Sequence, residues 1–154
     1  MVNSRPNWTQ EYEGLPELRN LEDMTHIKGF ENIQFIIFYG SASWGQASPD
    51  SDLDICIYFE GTPEDASRFR FEALYRLGDD RFDIQIFQQL PLYVRIKVLK
   101  GVVLFYNDLS FVYETAVRTI NEFDSFKHRL YDYTGQALIS WIGHNWERIL
   151  SGLR

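Results

Sequence analysis

Cysteine is nearly absent: one residue, Cys56, in 154. A lone cysteine excludes an intramolecular disulfide framework and suits a reducing compartment. No apolar run approaches the ~18 residues that a bilayer-spanning helix needs. The stretch from Met1 to Gly14 is polar and lacks an apolar signal-peptide core, so the expected location is the cytoplasm. Positive charge is scarce as well, with 15 Lys and Arg against 22 Asp and Glu and a net charge of −7. No basic stripe is present. A protein whose main task is gripping a nucleic-acid backbone draws its affinity from such residues, so nucleic acid is not the expected substrate. The acceptor or partner is expected to be a protein or a small molecule, and a basic protein would be favoured electrostatically. A homo-oligomer is left open.

Several motifs are missing too. No Gly-Lys-Ser/Thr follows a glycine turn, so there is no Walker-type phosphate loop. His26, His128 and His144 are scattered without zinc-ligand spacing. A calcium loop starting at Asp50 fails, because Ile55 stands where a sharp turn needs glycine and Gly61 where a bidentate glutamate is needed. Ser41 has no paired His or Asp that would make it a nucleophile.

What is present fits one globular domain. Hydrophobic residues make up 45% and charged residues 24%, ordinary values for a chain with a real core. Aromatics reach 16%, with four tryptophans. Trp8, Trp141 and Trp146 flank the central region, where aromatics outside a small core serve as interface anchors.

Periodicity gives an alternation of strands and helices. Leu15 to Gly29 reads as a helix with Pro16 near its start, Leu18 and Leu21 on one face, and Met24 or Thr25 next in register. Ile33 to Tyr39 reads as a buried strand closed by Gly40. Asp52 to Glu60 alternates, with Leu53, Ile55, Ile57 and Phe59 on one face and Asp52, Asp54, Cys56 and Tyr58 on the other. Thr62 and Pro63 open a helix whose apolar stripe is Ala66, Phe69, Ala73, Leu74 and Leu77, with Gly78 as its stop. Arg81 to Phe87 alternates again, with Asp83 and Gln85 on the polar face. A short helix from Pro91 to Lys100 and a strand from Val102 to Tyr106 follow. A longer helix is predicted from Asn107 or Asp108 to about Phe123, with Leu109, Val112, Ala116 and Ile120 in register. A last amphipathic helix carries Leu138, Ile142, Trp146 or Asn145, Ile149 and Leu153. The expected organisation is an N-terminal segment over 1–14, a catalytic core over 15–107 and a helical extension of the same domain over 108–154. Cys56 reads as a small core or near-site packing residue.

The most informative pattern is Gly40-Ser41, ten residues, then Asp52-Leu53-Asp54. A glycine at a strand end lets backbone N–H groups approach phosphate oxygens without a side chain in the way. Carboxylates two apart on a strand point to one side and can hold Mg²⁺. At average residue usage this fixed combination arises about once in 10⁵ start positions, too rare to be an accident in a chain this short.

With a strand on each side, the pattern resembles the DNA polymerase β-like nucleotidyltransferase superfamily, and most closely its minimal nucleotidyltransferase branch. The resemblance covers roughly positions 33 to 106. It implies an α/β (α+β) fold with a small mixed sheet flanked by helices. It also implies two Mg²⁺ ions held by Asp52, Asp54 and a third acid on the neighbouring strand, Asp83, with these three as the catalytic residues. Gly40, Ser41, Gly45 and Ser51 would meet the nucleotide, with ATP as substrate. Chains of this kind resemble the antitoxin halves of two-gene modules that transfer AMP to a tyrosine of a HEPN ribonuclease toxin, which would make a HEPN-type toxin the protein partner. A small-molecule nucleotidyltransferase of the aminoglycoside-modifying kind, and a non-catalytic antitoxin acting by binding, are the alternatives. One departure stands out: the family often has arginines where this chain has Ala42 and Trp44. Loss of two positive charges near a triphosphate would weaken nucleotide binding or shift that task to Lys97, Lys100 or Arg81.

Overall fold

The computed structural model describes residues 7–45 and 51–134, together with 145 and 148. A four-stranded mixed sheet forms the centre, built from β1 (Ile33–Tyr39), β2 (Leu53–Phe59), β3 (Phe82–Ile86) and β4 (Val102–Tyr106) in the order β3-β2-β1-β4. β1 runs antiparallel to both β2 and β4, whereas β2 and β3 are parallel. A parallel pair needs a crossover, and α2 (Pro63–Leu77) supplies it between β2 and β3. The expected mixed sheet flanked by helices is the observed architecture.

Strand alternation divides the core in two. On one face Ile36, Phe38, Ile55, Ile57 and Ile84 pack with Leu18, Leu21 and Met24 and with Ala66, Phe69 and Ala73 of α2. On the other, Phe35, Ile37, Tyr39, Cys56 and Phe87 meet Val98 of α3 (Leu92–Leu99) and Val112 of α4 (Leu109–Thr134). Burying a side chain of this size stabilises the fold by roughly 1.5–3 kcal/mol.

Local chemistry sets the element ends. Thr62 accepts the Asp65 N–H at 3.1 Å to cap α2, and Gly78 ends the helix in the left-handed region at φ 61°. Asp108 accepts the Ser110 N–H at 2.9 Å at the start of α4. The helix expected over Leu15–Gly29 is instead a 3₁₀ segment, Pro16–His26. Its buried residues Leu18, Leu21 and Met24 recur every three positions, which is the 3₁₀ period and settles Met24 over Thr25.

α4 differs from expectation in length and in face. It runs to Thr134 rather than ending near Phe123, since no Gly or Pro interrupts it. Its buried positions are Val112, Thr115 and Thr119, while Leu109, Tyr113, Val117 and Ile120 form an outward stripe. Thr119 tolerates burial because its hydroxyl donates to the Thr115 carbonyl at 2.7 Å, whereas the buried Thr115 hydroxyl has no hydrogen-bond partner among the described residues.

From Asn7 onward the polar N-terminal stretch packs on the sheet. Trp8 bridges Phe105 at the edge of β4, Thr9 N–H donates to the Leu104 carbonyl at 2.9 Å, and a short helix α1 (Gln10–Glu13) follows. Trp8 is buried against Tyr12 and Phe105 and is a core residue rather than an exposed anchor. Trp141, Trp146 and the predicted last amphipathic helix lie outside the described residues, apart from helical positions 145 and 148. Among the described residues no helix is long and apolar enough to cross a membrane.

Candidate active site

The site lies at one edge of the sheet, where β1 ends and β2 and β3 begin. Tyr39, the last residue of β1, is the register partner of Asp54, and Asp54 is in turn the register partner of Asp83 on β3. Neighbouring strands sit about 4.8 Å apart, so register partners in a parallel pair present their side chains side by side on one face. Asp54 is 4% exposed and Asp83 is half-buried.

Two carboxylates so placed repel one another by about 4 kcal/mol at ~4 Å and an effective dielectric near 20. Burial of Asp54 adds a desolvation cost. The pair is therefore a poor stability device and a good receptor for cations. The donors are all hard oxygens, the chemistry that Mg²⁺ prefers.

Asp52 stands differently. It is exposed, one residue ahead of β2, and two positions before Asp54. Among the described residues no three acid, His or Cys side chains are gathered into a ligand set. The fold thus brings Asp54 and Asp83 together and places Asp52 beside them at the strand entrance.

The Gly40 turn follows directly from Tyr39. Gly40 has φ 85° and ψ −174°, a combination essentially limited to glycine. A single 3₁₀ turn, Ser41–Trp44, comes next and ends at Gly45 with φ 76°. The Ser43 N–H and hydroxyl both donate to the Gly40 carbonyl, at 3.1 and 2.6 Å. Ala42 is buried in the core on the opposite face from Asp54. Ser51 is half-buried just ahead of Asp52, and so shares this edge with Gly40.

Beside the acids stand Gln85, which the sequence left unassigned, and Arg81, one of its three candidate cations. Gln85 donates from Nε2 to Asp83 Oδ1 at 2.9 Å, which fixes that carboxylate along its own strand. The Asp-x-Gln spacing that places both on one face was the available cue. Arg81 lies next to the entrance, because its carbonyl accepts the Leu53 N–H at 2.7 Å. Cys56, one same-face step beyond Asp54, is fully buried, and burial pushes its thiol far above the ordinary range while Arg95 opposes the shift. Of the lysines, Lys97 is half-buried on α3 and Lys100 is exposed after it.

A family model described as Polymerase beta, Nucleotidyltransferase matches residues 24–110, more than half of the chain, and spans every residue of this sheet edge. The chain belongs to the polymerase beta nucleotidyltransferase family. A Methanocaldococcus jannaschii protein that carries the name of a protein adenylyltransferase is 33% identical over 73 residues, 47% of this chain and 55% of that one. The chain therefore spans about half the length of the curated relative it matches. Among solved structures, a toxin-antitoxin complex with AMP-PNP contains a similar chain, with a TM-score of 0.57 at 19% identity over 87% of this chain and 98% of that chain. A chain of the tri-AMPylated Shewanella oneidensis HEPN toxin in complex with MNT antitoxin gives 0.54 at 16% identity, covering 86% of this nucleotidyltransferase and 98% of its counterpart. At such identities the structural likeness establishes the fold.

Proposed function

We propose that this nucleotidyltransferase moves AMP from ATP onto a hydroxyl of a protein partner, a helical HEPN-type toxin, and so acts as the antitoxin of a two-gene module. The observation that carries this reading is the register pairing of the buried Asp54 with Asp83 beside a turn only glycine can make. Asp54 and Asp83 would hold Mg²⁺, with the exposed Asp52 as the third ligand. Bound there, the divalent ions would neutralise the phosphates and lower the pKa of the acceptor hydroxyl. Gly40 and Ser41, with Gly45 and Ser51 nearby, would cradle the β- and γ-phosphates and stabilise charge on the departing pyrophosphate. Gln85 would keep the Asp83 carboxylate aimed at the site.

A protein acceptor is favoured by the solved complexes that share the fold and by the outward apolar stripe Leu109, Tyr113, Val117 and Ile120 on α4. The acidic net charge suits a basic partner. A non-catalytic antitoxin is the second reading, and a specific observation favours it: Ala42, at a position where relatives often have a cation, is packed into the core.

The test is incubation of the protein with ATP, Mg²⁺ and the product of the adjacent gene, followed by intact-mass measurement. Gain of one or more adenylyl groups on the partner is expected. A stable complex with unchanged mass would overturn the transferase reading in favour of binding alone.

A further inference from the structure

Between Lys28 and Arg68 the sequence contains no lysine or arginine, and that interval includes the whole Gly40 turn and both Asp52 and Asp54. A triphosphate carries close to four negative charges, and divalent cations neutralise only part of them. Within the described residues the remaining cations can be sorted by position. Arg68, Arg70 and Arg76 belong to α2, which covers the opposite face of the sheet. Arg95 donates from Nε to the Leu90 carbonyl at 3.0 Å and lies over the Phe87 ring, so it buttresses α3.

Lys97 and Lys100, at the end of α3, lie on the β4 side of the Gly40 turn, whereas Arg81 stands on the β2–β3 side with the acids. The Leu53 N–H to Arg81 carbonyl bond of 2.7 Å extends the parallel ladder, which sets residue 81 alongside Asp52 and two before Asp83. Its guanidinium is already fixed. Asp79 Oδ1 accepts from Arg81 Nε at 3.2 Å and from its backbone N–H at 3.0 Å, and Asp79 Oδ2 accepts from Nη2 at 2.9 Å. The side chain is 37% exposed. A cation held in one geometry loses little freedom when an anion arrives, and arginine's planar fork suits phosphate oxygens.

We infer that Arg81 is the phosphate-contacting cation of this site, taking the role that Ala42 and Trp44 cannot fill. This rests on the nucleotide-binding reading above and selects one of the three cations the sequence offered. Asp79 would be its positioning residue, acting on the nucleotide only through the guanidinium.

The experiment is calorimetric titration of the full chain with Mg²⁺ and AMP-PNP, and separately with Mg²⁺ and AMP. Arg81→Gln is expected to weaken AMP-PNP binding about tenfold or more and AMP binding far less, with Arg81→Lys restoring part of the loss. Asp79→Asn breaks the same ion pair but keeps the cation, and is expected to lose only a few-fold. Arg68→Gln, exposed on α2 over the opposite face of the sheet, is the comparison variant and should change little. Unchanged AMP-PNP affinity in Arg81→Gln, or equal losses in Arg81→Gln and Asp79→Asn, would overturn the assignment while leaving the transferase reading intact. A wild-type chain that binds no nucleotide would overturn both. Thermal unfolding of each variant checks that the fold persists.

Discussion

Asp54 of β2 and Asp83 of β3 are direct register partners in a parallel strand pair, one buried and the other half-buried. Like charges in that relationship oppose folding until a cation joins them. Removing either charge should therefore separate stability from activity. Asp54→Asn and Asp83→Asn are each expected to reduce adenylyl transfer by on the order of 10²–10³. Without divalent ions both variants should melt at or above the wild-type temperature. Added Mg²⁺ should raise the melting temperature of the wild type alone. Scanning calorimetry with and without Mg²⁺ measures both effects.

Gln85 touches the site only through Asp83, by a hydrogen bond of 2.9 Å. Gln85→Ala should leave the strand in place and free the carboxylate to rotate. Loss of such an outer partner typically costs 10–100-fold in metal affinity. The expected result is a higher Mg²⁺ requirement for transfer, with activity recovered at saturating Mg²⁺. A Mg²⁺ titration of the transfer rate reads this directly.

Gly101 approaches β1 too closely for any side chain. A Cβ there would lie 2.3 Å from the Phe38 carbonyl oxygen and 2.9 Å from Ile37 Cγ2. Gly101→Ala must push β4 away from the central strand, at an expected cost of about 1–3 kcal/mol. A lower urea midpoint with an unchanged slope would record it.

The reading of the sequence held where two cues agreed. β1 was legible as a continuous apolar run closed by Gly40, β2 and β3 by period-two alternation beside turns, and α2 because Thr62, Pro63 and Gly78 all marked its limits. It was weaker where one period had to be chosen from few residues. Leu18, Leu21 and Met24 fit both an α-helix and a 3₁₀ segment over so short a span. In α4 the apolar rule favoured Leu109 and Ile120, yet Thr115 and Thr119 took the core, of which only Thr119 bonds within the helix through its hydroxyl. Trp8 joined the core through a β-bridge to a residue almost a hundred positions away, which no local pattern encodes. Asp52 and Asp54 were named from spacing and Asp83 from the family resemblance, but the register pairing of Asp54 with Asp83 is a tertiary fact. The contribution of Gln85, and the choice of Arg81 among the three cations the sequence offered, came from that pairing and from hydrogen bonds.

Cys56 gives a pH-dependent check on the packing beside the acids. Burial raises its thiol pKa, so the reactive thiolate is absent across neutral and mildly alkaline pH in the folded protein. Iodoacetamide at pH 8 is expected to leave the native chain unlabelled and to modify it fully in urea. Rapid native labelling would mean that the face carrying Asp54 is open to solvent.

The most direct measurement is Mn²⁺ binding followed by electron paramagnetic resonance in the presence of AMP-PNP. The wild-type chain should bind Mn²⁺ at a stoichiometry of two, and Asp54→Asn and Asp83→Asn should each lose at least one ion. Undiminished Mn²⁺ binding in the doubly substituted chain would contradict the carboxylate pair as the seat of the chemistry.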